Sequence, residues 1–338
     1  MKTSFAPFPF ANRRRHALAL LGAGAGSAAL GLAPLTVRAQ ADWPNRPVRI
    51  IVPFAAGSFT ENAARVVAAE LHEQLGQPFI VETRGGAGST IGTSAVAKAA
   101  ADGYTLLFTD NSFMVSSALY PSLPYDPIKE IAQITPAAEA ATMLLVRNDL
   151  PAPDLKALVA LARTKPGDLN YGSGGLGSSA HLAVELFLGQ ADIRMTHVPY
   201  KGVAAALTEV AAGRIDVGLS SVGTAGAFVK GGRLRALAIT GKSRHPEYPD
   251  VPTFAEAGFP DYTMTYVFGF MAPAGLPAAI FDRLHGAIRT AVSRPKVAQV
   301  FATSGAMPYA TPSAEYQDLV RREIATWKTV IERAGVKP

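Results

Sequence analysis

Short, almost continuously apolar runs alternate along this chain with stretches of helical periodicity. That alternation limits the possible folds more than any other feature. VRIIVPF (48–54) is apolar at nearly every position, as expected of a parallel strand covered on both faces. From Thr60 to Leu75, the residues Ala64, Val67, Ala68, Leu71 and Leu75 recur at helical spacing. The pattern continues with FIVET (79–83), a helix from Ser89 to Ala100, and YTLLFTD (104–110). After a stretch holding Pro121, Pro124 and Pro127, TMLLV (142–146) opens a second set. That set has a helix from Asp154, LNYGS (169–173), a helix after Ser178, MTHVPY (195–200), a helix over 202–212, IDVGLSS (215–221) and LRALAIT (234–240). TYVFGFMAP (265–273) and helices near 277–292 and 313–334 complete the chain.

Strands alternating with helices imply an α/β fold with parallel sheets. The strands and polar loops are too many for one sheet, and the closing pair of helices without strands breaks the repeat of an eight-fold barrel. Two α/β lobes joined by crossover strands fit the order better. The chain has 338 residues, 49% hydrophobic, and no cysteine, so the folded state relies on apolar burial without disulfides.

Residues 1–41 read as a cleaved secretory signal. Arg13, Arg14 and Arg15 precede an Ala/Gly-rich apolar run, and VRAQA follows with small residues at Val37, Ala39 and Ala41. The arginines lean towards the twin-arginine route, with the general secretory route open. The run from Ala17 to Ala33 is short and glycine-diluted against the ~20 apolar residues a membrane span needs. The 32 Lys and Arg residues exceed the 26 Asp and Glu by six, and five of them (Lys2, Arg13, Arg14, Arg15, Arg38) lie in this acid-free segment, leaving an excess of one. Such a balance offers no electrostatic footprint for nucleic acid or an anionic membrane.

The strongest local signal is GDLNYGSGGLGSSAHLAVELFLGQA (167–191): a strand, a glycine- and serine-rich loop, then a helix. Backbone N–H groups and a helix N-terminus form an anion site without any cation. Gly172, Gly174 and Gly177 match the dinucleotide pattern G-x-G-x-x-G. Against that reading, several βα units precede the motif, and Asp192 falls before the next strand rather than at its end. Serines at 173, 178 and 179 suit a small ligand better. Ligands in such sheets sit beyond the carboxyl ends of strands. That rule adds the loops holding Gly57, Ser58 and Thr60, then Ser112, Tyr200 and Ser220. Two helix N-termini from different lobes facing each other would hold a small dianion through N–H groups and hydroxyls.

An enzyme is the alternative. Tyr171 stands where G-x-S-x-G requires its first glycine around Ser173, and a base within reach of Ser173, Ser178 or Ser220 would support a hydrolase-like reading. His72, His181, His197, His245 and His285 show no metal-ligand spacing, so neither metal nor cofactor is expected. His181 and His197 read as packed or capping residues, with a ligand contact as the alternative, and Asp216 as a cap or hinge partner. A ligand sensor of the same fold is a further alternative.

Several segments, in order, resemble the Bug family of periplasmic receptors of tripartite tricarboxylate transporters. They are VPFAAG (52–57) with Ala64-Arg65, VETRGGAGSTIG (81–92), DGYTLL (102–107), LPYDP (123–127), LNYGSGGLGSSAHLAVELF (169–187), HVPYKG (197–202), PDVPTFAEAGFPDY (249–262) and APAGLP (272–277). The resemblance implies a two-lobed type II periplasmic-binding-protein fold. Lobe 1 would be 42–143 with 264–338, and lobe 2 would be 144–263. It further implies a monomer in the periplasm that closes over a small carboxylate and passes it to membrane permease subunits. The carboxylate-holding loops would be Phe54 to Thr60, including Ala56 and Phe59, and Ser173 to Ser179, including Gly177. This chain departs from the family at Ser58, Phe59 and Glu61, where Gly-Ser-Thr-Asp is usual. The Phe59 ring would either line the pocket or face the lobe core, and Glu61 in place of Asp disfavours an amino-acid ligand.

Overall fold

The computed structural model describes residues 43–54, 56 and 58–337; the expected leader at 1–41 and the candidate residue Gly57 lie outside them. The first sheet has six strands in the order β11–β4–β10–β3–β1–β2: β1 (Val48–Val52), β2 (Phe79–Thr83), β3 (Thr105–Thr109), β4 (Ile131–Ala140), β10 (Tyr266–Pro273) and β11 (Ala306–Pro308). The second has five in the order β7–β6–β8–β5–β9: β5 (Thr142–Val146), β6 (Asn170–Ser173), β7 (Thr196–Pro199), β8 (Val217–Ser221) and β9 (Arg235–Ile239). In each sheet the first strand of a βαβ unit pairs in parallel on both sides: β1 with β2 and β3, and β6 with β7 and β8. The other pairings are antiparallel, because the strands carrying the chain between sheets enter from the opposite end. The sheets are therefore more evenly mixed than the sequence pattern suggests.

The helices are α1 (Phe59–Leu75), α2 (Thr90–Ala97), α3 (Ser112–Leu119), α4 (Leu155–Thr164), α5 (Ser179–Ala191), α6 (Val203–Ala211), α7 (Val222–Lys230), α8 (Ala278–Val292), α9 (Pro295–Ala302) and α10 (Ser313–Ala334). The two lobes repeat one plan. β1–α1–β2–α2–β3–α3 corresponds to β6–α5–β7–α6–β8–α7, with strand orders 2-1-3 and 7-6-8. α1 shows why such helices form. Ser58 caps its start by accepting the Glu61 N–H, its Ala64, Val67, Ala68 and Leu71 are buried, and Gly76 ends it at φ 74°.

The chain leaves the first sheet at Ala141, between β4 and β5, and returns ahead of β10. The two crossings are tied together. The Thr142 N–H donates to Thr240 Oγ1 (2.8 Å), and the Thr142 hydroxyl donates to the Met264 carbonyl (3.0 Å). The long helix α10 spans the lobes. One buried cluster runs from Phe113 and Met114 through Val320 and Trp327 to Leu182 and Phe187. Arg333 near its end donates to the Glu185 carbonyl at 3.3 Å, into space left by Gly189.

Several elements are absent from the sequence reading: α3, β4, α7, α9 and β11. β4 hides because Pro136 argues against a strand interior. It is accommodated opposite Gly269, where the β4–β10 register shifts. Among the described residues no helix is long and apolar enough to cross a membrane.

Candidate ligand-binding site

The carboxyl ends of β1, β3, β6, β7 and β8 carry the loops singled out in the sequence. In the first lobe, Val52 leads through Phe54, half-buried, and Ala56, exposed, to the α1 N-terminus. Ser58 has φ −68° and ψ 155°, and its Oγ accepts the Glu61 N–H at 3.2 Å. Thr60 is buried in the first turn. The Phe59 ring packs edge-on against Phe268 (4.7 Å between centroids) and Phe301 (6.2 Å). Of the two expectations for this ring, the lobe core is where its aromatic contacts lie. Glu61 is buried and bonded at 2.9 and 2.6 Å by Arg65, one turn on.

The second lobe reproduces this jaw closely. Ser178 has φ −67° and ψ 155°, and its Oγ accepts the His181 N–H at 3.2 Å. Gly177 sits at φ 71°, and its N–H donates to His181 Nδ1 at 3.0 Å. An N–H can only donate, so this nitrogen is unprotonated and His181 is neutral. Ser179 opens α5 and is partly exposed. A side chain at Gly177 would touch Leu119 of the first lobe, so the loop reaches across the interlobe gap. Contact recurs at the α7 N-terminus, where a side chain on Gly223 would overlap the Ser304 carbonyl.

Ser173 lies under the loop rather than on it. It is fully buried, 2.6 Å from His197 Nε2, and its Oγ accepts the Gly175 N–H at 3.1 Å. The His197 ring stacks on His181 (3.9 Å) and on Tyr171 (4.9 Å), whose hydroxyl donates to Glu185. Burial and the neighbouring His197 hold the His181 imidazole down to about 4. Burial also lowers His197. Desolvation and the hydrogen-bonded Glu185 raise the Tyr171 phenol. All three rings are uncharged at neutral pH.

The remaining candidates sit at the rim or below it. Ser112 opens α3, and its N–H donates to Asp110 Oδ1 at 2.8 Å. Burial raises the Asp110 carboxyl against the lowering effect of its hydrogen bonds to Ser112. Tyr200 is partly exposed, and its N–H donates to the Ser173 carbonyl at 3.1 Å. Ser220 is buried, with no hydrogen-bond partner among the described residues. Asp216 stands apart from the jaws. It bonds Arg147 Nε and the Asn170 N–H, both at 2.9 Å, joining β5, β6 and β8. Two open depressions, about 580 Å³ beside Arg289 and Pro308 and about 420 Å³ beside His72 and Ile80, lie away from the jaws. Among the described residues no cluster of His, Asp or Glu has metal-holding geometry.

The Ser173–His197 contact and the stacked histidines are what the sequence reading missed. For His181 a signal was available, since Ser178-x-x-His181 has the spacing of a capping box with His in place of Glu; the Tyr171–His197 pairing is a strand register that only the fold sets.

The chain as a whole is similar to known proteins. Protein BugT of Bordetella pertussis (strain Tohama I) is 35% identical over 297 residues, covering 87% of this chain and 91% of that one. The structure of R. palustris Rpa4515 with adipate superposes with TM-score 0.72 at 34% identity, over 88% of this chain and 99% of the other. That of MatC (Rpa3494) from Rhodopseudomonas palustris with bound malate gives 0.70 at 31%, over 86% and all of it. The family described as Tripartite tricarboxylate transporter family receptor (TctC) matches residues 63–336, and this chain belongs to it.

Proposed function

We propose that this protein is a periplasmic receptor that captures a small organic carboxylate between its lobes by hinge closure and delivers it to a transporter permease. The observation that carries the reading is the matched pair of serine-capped helix N-termini, at Ser58 and Ser178, with almost identical backbone angles. Each capping serine satisfies one N–H of its helix, and others of the first turn remain for a ligand. Phe54 to Thr60 would form one jaw, and Gly177, Ser178 and Ser179 the other, with Ser112 and Tyr200 at the rim. Ser173 and Ser220 act from beneath. Relatives with adipate and with malate support a carboxylate as the ligand class. The basic, apolar segment at 1–41 supports export, and the amino-terminal sequence of the mature protein would test it.

One observation favours an enzyme: His197 is a base within hydrogen-bond reach of Ser173. Three facts favour binding instead. Ser173 is fully buried, its Oγ is already engaged by the Gly175 N–H, and no carboxylate orients His197 among the described residues. The test is thermal unfolding of the mature protein with adipate, malate and other carboxylates, alongside hydrolysis of an activated ester. A ligand at a hundred times its dissociation constant adds about 2.7 kcal/mol of stability. Stabilisation by non-acidic ligands alone would overturn the carboxylate reading. Ester turnover that vanishes in Ser173→Ala would establish the enzyme.

A further inference from the structure

We propose that His181 is an electrically neutral replacement for the glutamate of a helix capping box, and that this neutrality keeps the α5 jaw attractive to an anion. The inference rests on the receptor reading above and deepens it. In an ordinary capping box the third helical residue is Glu or Gln, whose side chain turns back to accept an orphan N–H. Here His181 occupies that position. Its N–H donates to Ser178 Oγ, and its Nδ1 accepts the Gly177 N–H. The Ser178 N–H is already taken by the Gly175 carbonyl, so the box is shifted by one residue. A glutamate would satisfy the same donor. It would also place a full negative charge within the first turn of a helix whose free N–H groups are needed by a carboxylate.

The other jaw meets the same problem differently. Glu61 stands at the equivalent position after Ser58, and it does carry a carboxylate. Arg65 holds that carboxylate at 2.6 Å across one turn of α1, while remaining largely exposed itself. One jaw cancels its acceptor's charge with an ion pair; the other uses an acceptor that has none. The groups facing His181 agree with this. His197 stacks on it as a second neutral ring, and Glu185, one turn along α5, is bound by the Tyr171 hydroxyl. His181 is thus a positioning residue that holds Gly177 without opposing the ligand.

The test compares His181→Gln and His181→Glu with the unchanged protein at pH 8, where histidine is uncharged. Adipate affinity is measured by calorimetry and stability by urea unfolding. Gln keeps the acceptor without charge, so affinity stays within about threefold. Glu keeps the acceptor and adds charge, so affinity falls more than tenfold in protein that urea unfolding shows to be folded at pH 8. Arg65→Gln, at an exposed position, removes the counter-charge that Arg65 gives Glu61 and weakens adipate binding to the folded protein. Equal affinity in the Glu variant and the unchanged protein overturns the proposal, as does an equal loss in both His181 variants. If His181→Glu does not fold, undiminished affinity in Arg65→Gln overturns it. Failure of the unchanged protein to bind adipate, malate or any other carboxylate is a different result. It overturns the receptor reading and takes this proposal with it.

Discussion

Acidification should destabilise this protein through His181, and the size of the effect follows from the structure. The imidazole is 3% exposed, accepts the Gly177 N–H, and stacks on a second histidine. Its pKa is about 4 in the folded protein against an ordinary 6.5. Between those values the unfolded chain takes up a proton that the folded protein refuses. Stability from the neutral ring is therefore complete above pH 6.5, declines as pH falls, and is exhausted near pH 4. At pH 4.5 some two units of that window have been crossed, a loss of about 2.5 kcal/mol. His197 is shifted in the same direction, so the total slope exceeds that of His181 alone. The assay is urea unfolding at pH 7.5 and at pH 4.5, on the unchanged protein and on His181→Gln. The Gln variant cannot titrate here, and lost stacking affects both pH values alike. The pH-dependent loss should be smaller in the variant by about 2.5 kcal/mol. Parallel pH dependence in the two proteins would refute the reasoning, as would a gain of stability on acidification.

Three other expectations concern the frame around the jaws. Gly223→Ala drives a Cβ into the Ser304 carbonyl across the lobes; it should cost about 1–3 kcal/mol and shift small-angle scattering of the liganded protein towards a more open form. Thr142→Val strips a donor from the tied crossings, leaving the Met264 carbonyl short of a partner; a loss of about 1–3 kcal/mol in chemical unfolding is expected. Asp216→Asn removes the charge bonded to Arg147 and the Asn170 N–H; it should lower stability by about 1.5–3 kcal/mol with carboxylate affinity unchanged, since these residues stand apart from both jaws.

The fold was legible where burial alone decides structure. VRIIVPF, YTLLFTD and TMLLV are covered strands whose composition says so, and α1 and α5 carry both their apolar faces and their serine caps in the sequence. Illegible elements depend on a partner. β4 tolerates Pro136 only because Gly269 and a register shift lie opposite, and neither can be seen from residues 131–140. The α3 segment SFMVSSAL has no charged face, and even its Ser116 and Ser117 are buried, because one side meets α10 and the core. β11 has three residues and exists by pairing with the end of β4.

The same division runs through the site. The glycines and serines of the two loops carry the signal for the proposed anion site, since backbone N–H groups and hydroxyls would be its chemistry. What the loops rest on does not show, because it is assembled across strands. Ser173 and His197 belong to β6 and β7, and the register that opposes Tyr171 to His197 brings them together. Phe59 illustrates the reverse case. A large ring in a loop otherwise built of small residues suggests a ligand contact, yet its neighbours Phe268 and Phe301 arrive from β10 and α9, far along the chain. An aromatic ring in the first turn of a helix is drawn to the nearest apolar surface. In α1 that surface is the lobe core. With the ring turned inward, the Ser58 jaw presents backbone and hydroxyl chemistry to the cleft, as the Ser178 jaw does. Under the proposed function, discrimination among carboxylates would fall to the rim, where Asp110, Ser112 and Tyr200 differ in kind between the lobes.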